Sequence, residues 1–582
     1  MKKKSLLKEY FLKYKIPYII GIIILLIVDY MQLYIPQITG MITDGIKDGS
    51  IDSAGIWKLA LALLGVTLIL VLGRIGWRYF IIGTSRKVET DIRHQIFSKW
   101  VEMDVPYFNT HKTGNLMAYA TNDINAVRMM VGSGIIIIVD AVVMTLMVIF
   151  KMLTYVDVSL TLMAILPMPI IAIGGAYFEK KVEERFGDKQ KAFAMLSDKV
   201  QESFSGIKVI KSFVQESYDA KDFEEISRDN YNKNLRLTKL SAILNPLMYL
   251  LVGLSLLISI GYGGYLTMVN EITIGEFVAF NQYILMLNWP MMAIAMGINI
   301  FAQGIASVKR IEGVLEEVSS VQDVDGVVNC EKMGGAIKIQ DLSFDFPDNQ
   351  QMALSNINIE VKEGETLAIL GRTGSGKSTL VNLLLRLYNS PEGSILLDGH
   401  DIMKMPLKNV RQNIAYVPQD NFLFSDTIAH NIGFGLDELD MERVIEAAKK
   451  ANVHENIIDF PHQYETVVGE RGTSLSGGQK QRVSIARAMI LNTPIIILDD
   501  SLSAVDTKTE EQILSNLKKV RVGKTNILIA HRISTVKHAD KIIVLENGKI
   551  VEAGNHETLL AKEGIYSEMN NQQKLEEEIN EA

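Results

Sequence analysis

Residues 365–387 read ETLAILGRTGSGKSTLVNLLLRL, and this stretch decides the class of fold. It opens on a short apolar run, Leu367 to Leu370, turns through glycines, and continues with leucines at helical spacing. A short apolar run closed by a glycine turn reads as a buried strand, and the segment after it as a helix. The turn, Gly371-Arg372-Thr373-Gly374-Ser375-Gly376-Lys377-Ser378 followed by Thr379, matches the phosphate-binding loop pattern. Glycines let backbone N–H groups turn inward and approach phosphate oxygens closely, and the helix start adds its positive dipole end. The pattern gives Lys377 the β- and γ-phosphates and the Ser378 hydroxyl a Mg²⁺ ion.

Downstream, PIIILDDS at 494–501 reads as a second buried strand, ending in two carboxylates. Asp499 follows the apolar residues Ile495 to Leu498, and an acid at the carboxyl end of such a strand is placed for Mg²⁺. LSGGQKQR, from Leu475, opens another helix on Ser476, Gly477, Gly478 and Gln479, which is a second anion-binding helix start. One nucleotide does not need two such sites in one domain. Two domains facing head to tail would use both.

At this point the chain resembles the ABC ATPase family, with motifs in the family's order and a resemblance over essentially the whole length. The resemblance implies ATP as ligand. It also implies that Phe346, in SFDFP, stacks on adenine, where the family more often has Tyr. Gln419, in VPQD, looks like the residue that contacts Mg²⁺ and the attacking water. His531, in IAHR, looks like the histidine that contacts the γ-phosphate. Ser503–Asp506 (SAVD) is similar to the loop where the family commonly has Leu in place of Val505, and VVGERG at 467–472 to an exporter-specific loop.

One departure stands out. The residue after the Mg²⁺ aspartate is usually Glu in this family and acts as general base; here it is Asp500. Its side chain is one methylene shorter, and losing a positioned base costs ~10²–10⁴-fold. The expectation is a cleft that binds ATP well and hydrolyses it poorly. The family includes heterodimers with one impaired and one competent site. That points to a second half-transporter as partner, with a homodimer the less favoured arrangement.

The first 300 or so residues have a different character. The chain is 48% hydrophobic with mean hydropathy +0.16, and its long apolar runs crowd the N-terminal half. Spans of about 20 apolar residues cross a bilayer. Six candidates fall at 17–38, 57–82 (interrupted by Arg74 and Arg78), 132–153, 157–178, 243–267 and 275–300. Lys2, Lys3 and Lys4 precede the first, and the long segments 83–131 and 179–242 are rich in Lys and Arg, so these are expected on the cytosolic side. The intervening loops, near 40–56, 154–156 and 268–274, are short and poor in positive charge. Each long segment breaks once, at 106–115 and 204–216, where a tip could meet a partner domain. LLKEYFLKY, before the first span, is either a helix on the inner membrane surface or an extension of that span. Asp29 and Asp140 fall inside spans, where charge is costly; they face a cargo cavity and favour cations, or they line a wet vestibule or pair with a base.

The expected fold is thus a membrane α-helical domain of six transmembrane helices with long cytosolic extensions, fused to an α/β phosphate-loop ABC ATPase domain. Boundaries are expected at 1–311 for the membrane domain, 312–335 for a polar linker, 336–575 for the ATP-binding domain and 576–582 for a polar tail. Cys330 is the sole cysteine, so no disulfide forms within the chain, and a net charge of −8 gives no electrostatic case for nucleic acid. A membrane domain fused N-terminally to the ATPase resembles exporters rather than importers or soluble repair ATPases. The expected function is ATP-driven export of small amphipathic molecules across the cell membrane by alternating access, with the ATPase and N-terminus cytoplasmic. Lipid export on the same scaffold and an ATP-gated regulatory role are the alternatives.

Overall fold

A computed structural model describes residues 5–324, 333–346, 352–469 and 472–581. Lys2, Lys3, Lys4, Cys330 and, within VVGERG, Glu470 and Arg471 lie outside the described residues. Contacts divide the chain into two units, one formed by Met1–Val101 and Lys112–Glu317, the other by Glu102–His111 and Val318–Ala582.

The first unit is helical throughout. It opens on Leu6–Lys13, a separate helix that ends where Tyr14 leaves helical geometry (φ −110°, ψ 24°). The break decides between the two readings of this segment: it is not an extension of the first span. Leu6 and Tyr10 are buried, the Leu6 N–H donates to Glu312 at 2.8 Å, and Lys13 and Tyr14 both donate to Asp91 at 2.5 and 2.8 Å. The segment is therefore anchored on other helices of its unit.

Long rods follow. Lys15–Gln32 continues as Tyr34–Lys47. Ser53–Trp77 passes through a π-helical turn at Arg78–Ile82 into Gly83–Val101, so the two arginines interrupt the hydropathy but not the helix. Thr113–Tyr155 forms the third rod. Val158–Ile165 and Met168–Ser205 make the fourth, Glu216–Ile258 through Gly264–Met268 the fifth, and Ile274–Met286 with Asn288–Glu316 the sixth. Among the described residues, three rods are long and apolar enough to cross a membrane: Lys15–Lys47, Ser53–Val101 and Thr113–Tyr155. Val252–Met268 is a shorter apolar helix, and the fourth to sixth expected spans all include side chains outside the description.

The three short loops are each closed by a side-chain cap. Asp52 accepts from Gly55 N–H at 2.8 Å, Asp157 from Leu160 N–H at 2.8 Å, and Thr273 forms a reciprocal capping box with Glu276. Asp44 ties two of these ends together, accepting from Gly275 N–H and the Thr273 hydroxyl at 2.6 Å each. Here the helices approach so closely that a Cβ on Gly275 would lie 2.1 Å from the Gly40 carbonyl oxygen. At the other end, the break at 204–216 is a short helix, Ile207–Ser212, with Val209 and Phe213 exposed and Val214 in the left-handed region (φ 56°).

The last rod does not stop at 311. It continues to Glu316 because Ile311 and Val314 stay on its buried face, so the expected linker begins inside a helix. The expected polar tail is likewise helical, as part of Ile565–Glu581.

The second unit is α/β. Its small antiparallel sheet contains β1 (Ile337–Asp345), β2 (Met352–Val361), β4 (Ile395–Leu397) and β5 (His400–Asp401), in the order β2-β1-β4-β5. Its main sheet contains β3 (Thr366–Gly371), β6 (Ile414–Val417), β7 (Ile495–Asp499), β8 (Thr525–Ile529), β9 (Lys541–Glu546) and β10 (Lys549–Gly554), in the order β10-β9-β3-β8-β7-β6. From β9 to β6 the strands are parallel, and β10 is antiparallel at the edge. Parallel strands covered on both faces carry continuous apolar runs, which is why β7 and β8 are buried at every position. Because β3 and β7 both flank β8, their carboxyl ends, and the loops that leave them, open on one edge of the sheet.

Residues 102–111 belong to this unit although they are remote from it in sequence. Asp104 caps the helix Val105–Thr110, accepting from Tyr107 N–H at 3.0 Å. Its other oxygen accepts from Ser320 N–H and hydroxyl at 2.5 and 2.6 Å, and from the Ser319 hydroxyl and Val321 N–H at 3.2 Å each. Asn109 donates to the Tyr388 hydroxyl at 2.9 Å. One carboxylate thus ties together two of the places where the chain crosses between units. Burial would raise the Asp104 pKa, but hydrogen bonds from Ser320, Tyr107 N–H and Ser319 outweigh it and hold the carboxyl below its usual range. A lowered folded pKa means stability present above the unfolded value of ~3.9 and lost as pH falls through the folded value. Asp104→Asn keeps one acceptor but turns an N–H₂ toward a set of donors. A loss of about 1–3 kcal/mol is expected, read as a lower Tm at pH 7, with the gap to the parent closing below pH 4.

Candidate nucleotide site

A cleft of ≈600 Å³ is lined by Phe346, Thr373, Gly374, Ser375, Gly376, Lys377, Ser378, Thr379, Gln419, Asp499, Asp500 and His531. These residues come from scattered stretches of sequence, and the sheet edge brings them together. Gly371 and Arg372 complete the loop at its base, where their carbonyls accept from Lys377 Nζ at 2.8 and 3.0 Å. The loop needs its glycines. Gly376 has φ 101°, and a Cβ there would sit 2.7 Å from Leu354 Cδ2 and 2.9 Å from the Ala353 oxygen. Gly374 is also left-handed, at φ 82°.

The fit to a phosphate chain rests on what this loop leaves open. The Ser375 hydroxyl is buried with no hydrogen-bond partner. The helix Lys377–Leu384 begins in the cleft with no side-chain cap, so its first N–H groups are free for an anion. Lys377 is buried, and burial lowers its pKa, opposed by the charges of Asp499 and Asp500. Asp499 is also buried. Burial raises its pKa, Asp500 adds to this, and a hydrogen bond from Ser378 opposes it. The buried Asp499 carboxylate and the Ser378 hydroxyl supply oxygens that suit a divalent ion, and the buried Lys377 ammonium suits the phosphates beside it.

Asp500 takes an unusual backbone conformation, with φ 45°. Its N–H donates to the Ile529 carbonyl at 2.8 Å and its carbonyl accepts from the Ser503 hydroxyl at 2.9 Å, so the strand end is pinned on both sides. Its carboxylate meets Gln419 Nε2 only at 3.5 Å.

Ser476, Gly477, Gly478 and Gln479 do not line this cleft. They open the helix Gly477–Met489, where Ser476 and Gln479 form a reciprocal capping box. Gln481 holds that helix to the 503–506 loop, accepting from Ala504 N–H at 3.0 Å, and Gly478 lies so near that a Cβ would be 3.0 Å from the Ala504 oxygen. The start of the LSGGQ helix is therefore not part of its own chain's phosphate cleft.

Three features escaped the sequence reading. Tyr416 donates to Asp499 at 3.4 Å, and its place just before VPQD was the available signal. Gln573 clasps the His531 segment: it donates to the His531 carbonyl at 2.6 Å and accepts from Ile533 N–H at 2.7 Å. Nothing near Gln573 in the sequence announces this. Finally, exposed Phe424 and Phe434 stack at 4.6 Å with Arg487 over both rings. In the other unit, Asp29 is 2% exposed with one carboxylate oxygen unpartnered, and its carboxyl lies close enough to that of Asp140 for the two to interact. The two acids therefore meet, although they stand on different rods.

Residues 18–291 match the ABC transporter transmembrane region, and residues 354–503 match the ABC transporter family. A probable multidrug resistance ABC transporter ATP-binding/permease protein of Bacillus subtilis, YheI, is 38% identical over 574 residues, 98% of both chains. The chain belongs to the ABC transporter family. The multidrug resistance-like ATP-binding protein MdlA of Escherichia coli is 36% identical over 97% of this chain and 95% of its own. An ATP-dependent lipid A-core flippase of Syntrophus aciditrophicus is 34% identical over 85% of this chain and 82% of its own. Among solved structures, a bacterial Atm1-family ABC exporter with ATP bound aligns with TM-score 0.79 and 27% identity, covering 95% of this chain and 98% of that one. The chain is an ABC exporter half-transporter: a helical transmembrane domain fused to an ABC ATPase domain. It is a membrane protein of a family that acts as dimers and hydrolyses ATP to drive transport.

Proposed function

We propose that this chain is the ATP-holding half of a heterodimeric exporter of small amphipathic molecules in the cell membrane, with its N-terminus and ATPase unit in the cytoplasm. The observation that carries this is the pairing of an altered base position, Asp500, with an intact LSGGQ helix start in the same chain. Multidrug names among relatives at 36–38% identity support the cargo class.

Phe346 stacks on the adenine. Backbone N–H groups of Gly374 to Ser378 and the Lys377 ammonium hold the phosphates, with Thr379 beside them. Ser378, Asp499 and Gln419 would hold Mg²⁺, which when bound would neutralise charge on the phosphates. Asp500 is too short to take a proton efficiently from the attacking water, so hydrolysis here is weak. His531, kept in place by Gln573, faces the γ-phosphate. Ser476, Gly477 and Gly478 close the partner's nucleotide, where the partner's glutamate does the proton transfer. Closure biases the membrane helices outward only as far as the closed state binds ATP more tightly.

In the membrane unit, Asp29 and Asp140 favour cationic cargo. Asp29→Asn and Asp140→Asn are expected to lower transport of a cationic dye about tenfold and to spare a neutral compound, because a desolvated ion pair to cargo is lost. Equal transport of both compounds would remove the acids from the cargo site. The lipid A-core flippase relative supports lipid cargo as a second reading. ATP-dependent accumulation in inverted vesicles holding both subunits separates the readings: dye uptake supports export of small molecules, and headgroup-labelled lipid transfer without dye uptake supports the second.

A further inference from the structure

One end of the nucleotide cleft stands on an aromatic cluster that reaches away from the phosphate loop. Phe344 on β1 and Phe346 just past its end are two residues apart, so an extended chain turns both to one side. Their rings meet at 5.3 Å and 80°. Tyr388, shortly after the helix Lys377–Leu384, packs against both, at 6.0 Å and 69° to Phe344 and at 5.2 Å and 82° to Phe346. Aromatic pairs favour such near-perpendicular contact because the positive edge of one ring meets the negative face of the other. Two neighbours of this kind fix the plane of the Phe346 ring, which lines the cleft.

Tyr388 is in turn held from a remote part of the sequence. It is 8% exposed, and Asn109 Nδ2 donates to its hydroxyl oxygen at 2.9 Å. Asn109 stands on the helix Val105–Thr110. Val105, at the start of that helix, packs on the apolar core that contains Tyr388 and that Phe344 and Phe346 also cover. The next residue after Tyr388, Asn389, donates to the Ser320 carbonyl at 2.7 Å, and Asp104 holds the Ser320 N–H and hydroxyl. Phe346, Tyr388 and Asn109 thus form a line of contacts from the cleft to the helix 105–110, all within one unit.

A stacking platform holds a base best when its plane is set before the base arrives, because a ring that must be ordered on binding costs affinity. We propose that Tyr388 is a positioning residue for the base platform, and that Asn109, acting through the Tyr388 hydroxyl, lets the helix Val105–Thr110 tune how tightly the cleft holds the adenine ring. The proposal rests on the reading of Phe346 as the adenine platform. The tuning acts on the base and not on the phosphates, whose contacts come from the loop after β3. By linkage it runs both ways: whatever the docked helix adds to base affinity, the bound base adds to the docking of the helix.

The test is calorimetric titration of the full-length chain in detergent with ATP and, separately, with inorganic triphosphate, which carries the phosphates without the base. Phe346→Ala should weaken ATP about tenfold or more and leave triphosphate unchanged. Tyr388→Leu, which keeps an apolar side chain but removes the ring, should weaken ATP about three- to tenfold, the scale of one edge-to-face pair, and again spare triphosphate. Asn109→Ala should weaken ATP about threefold, and should add nothing in a Tyr388→Phe background, where the hydroxyl it acts through is gone. A merely structural role would weaken both ligands together. That result, or unchanged ATP affinity in Tyr388→Leu or in Asn109→Ala, would overturn the proposal. Should Tyr388→Leu fail to fold, Asn109→Ala with and without Tyr388→Phe decides alone. A silent Phe346→Ala would remove the adenine platform and this proposal with it, whereas loss in Phe346→Ala with no change in the other variants would remove only the roles of Tyr388 and Asn109.

Discussion

Asp500→Glu is expected to raise ATP turnover of the purified chain in lipid by about 10²-fold, the lower end of what a positioned general base contributes. The chain carries its own signature helix start, so self-associated copies would close each other's clefts, and the missing reach of one methylene would be the limiting defect. The added length matters because Asp500 already stands at the cleft, with its carboxylate 3.5 Å from Gln419 and its backbone pinned through Ile529 and Ser503. A small stability loss should accompany the gain. Asp500 is left-handed at φ 45°, a conformation that Asp tolerates better than Glu. Unchanged turnover in the variant, or vigorous turnover by the parent chain alone, would remove Asp500 as the cause of weak hydrolysis.

The second large effect concerns the partner's nucleotide. In the assembled transporter, Gly477→Asp is expected to lower ATP turnover ~10²-fold or more, on the scale seen when donors to a transition-state anion are lost. The substitution leaves the fold in place. A Cβ at Gly477 meets only Ala504 Cβ at 3.8 Å, an ordinary contact, and an acid in the first turn of a helix suits its dipole. What changes is the charge: a carboxylate is set beside the open N–H groups, where the partner's γ-phosphate would sit. Lys377→Ala in the same chain should cost far less turnover, because the cleft it serves hydrolyses little. A reversed order, with Lys377→Ala the more damaging, would move the main hydrolytic site into this chain and contradict the proposed division of labour.

Legibility differed sharply between features. The phosphate loop, the carboxylates at the end of β7 and the LSGGQ helix start were readable because each is a contiguous run whose spacing carries its chemistry. The left-handed Gly374 and Gly376 and the reciprocal cap of Ser476 with Gln479 are local consequences of those runs. The membrane half was readable as hydropathy, and less so as geometry. Arg74 and Arg78 suggested an interruption in a rod that the backbone carries through in a π-helical turn, and the sixth rod outran its hydropathy because Ile311 and Val314 keep a buried face.

Other relations exist only in the folded chain. That Asp104 gathers Ser319, Ser320 and Val321, that Gln573 clasps the His531 segment, that Asp29 meets Asp140, and that Arg185 lies against Arg236 are meetings between distant segments. The sequence by itself determined the family-level pattern: a nucleotide loop, a second helix start on LSGGQ, an aspartate where the family usually has Glu, and a membrane half. Tertiary structure decided which of those groups share a cleft and which lie outside it. The physical reason is that a motif's chemistry comes from neighbours along the backbone, whereas a partner's identity depends on the path of the whole chain, which no local spacing records.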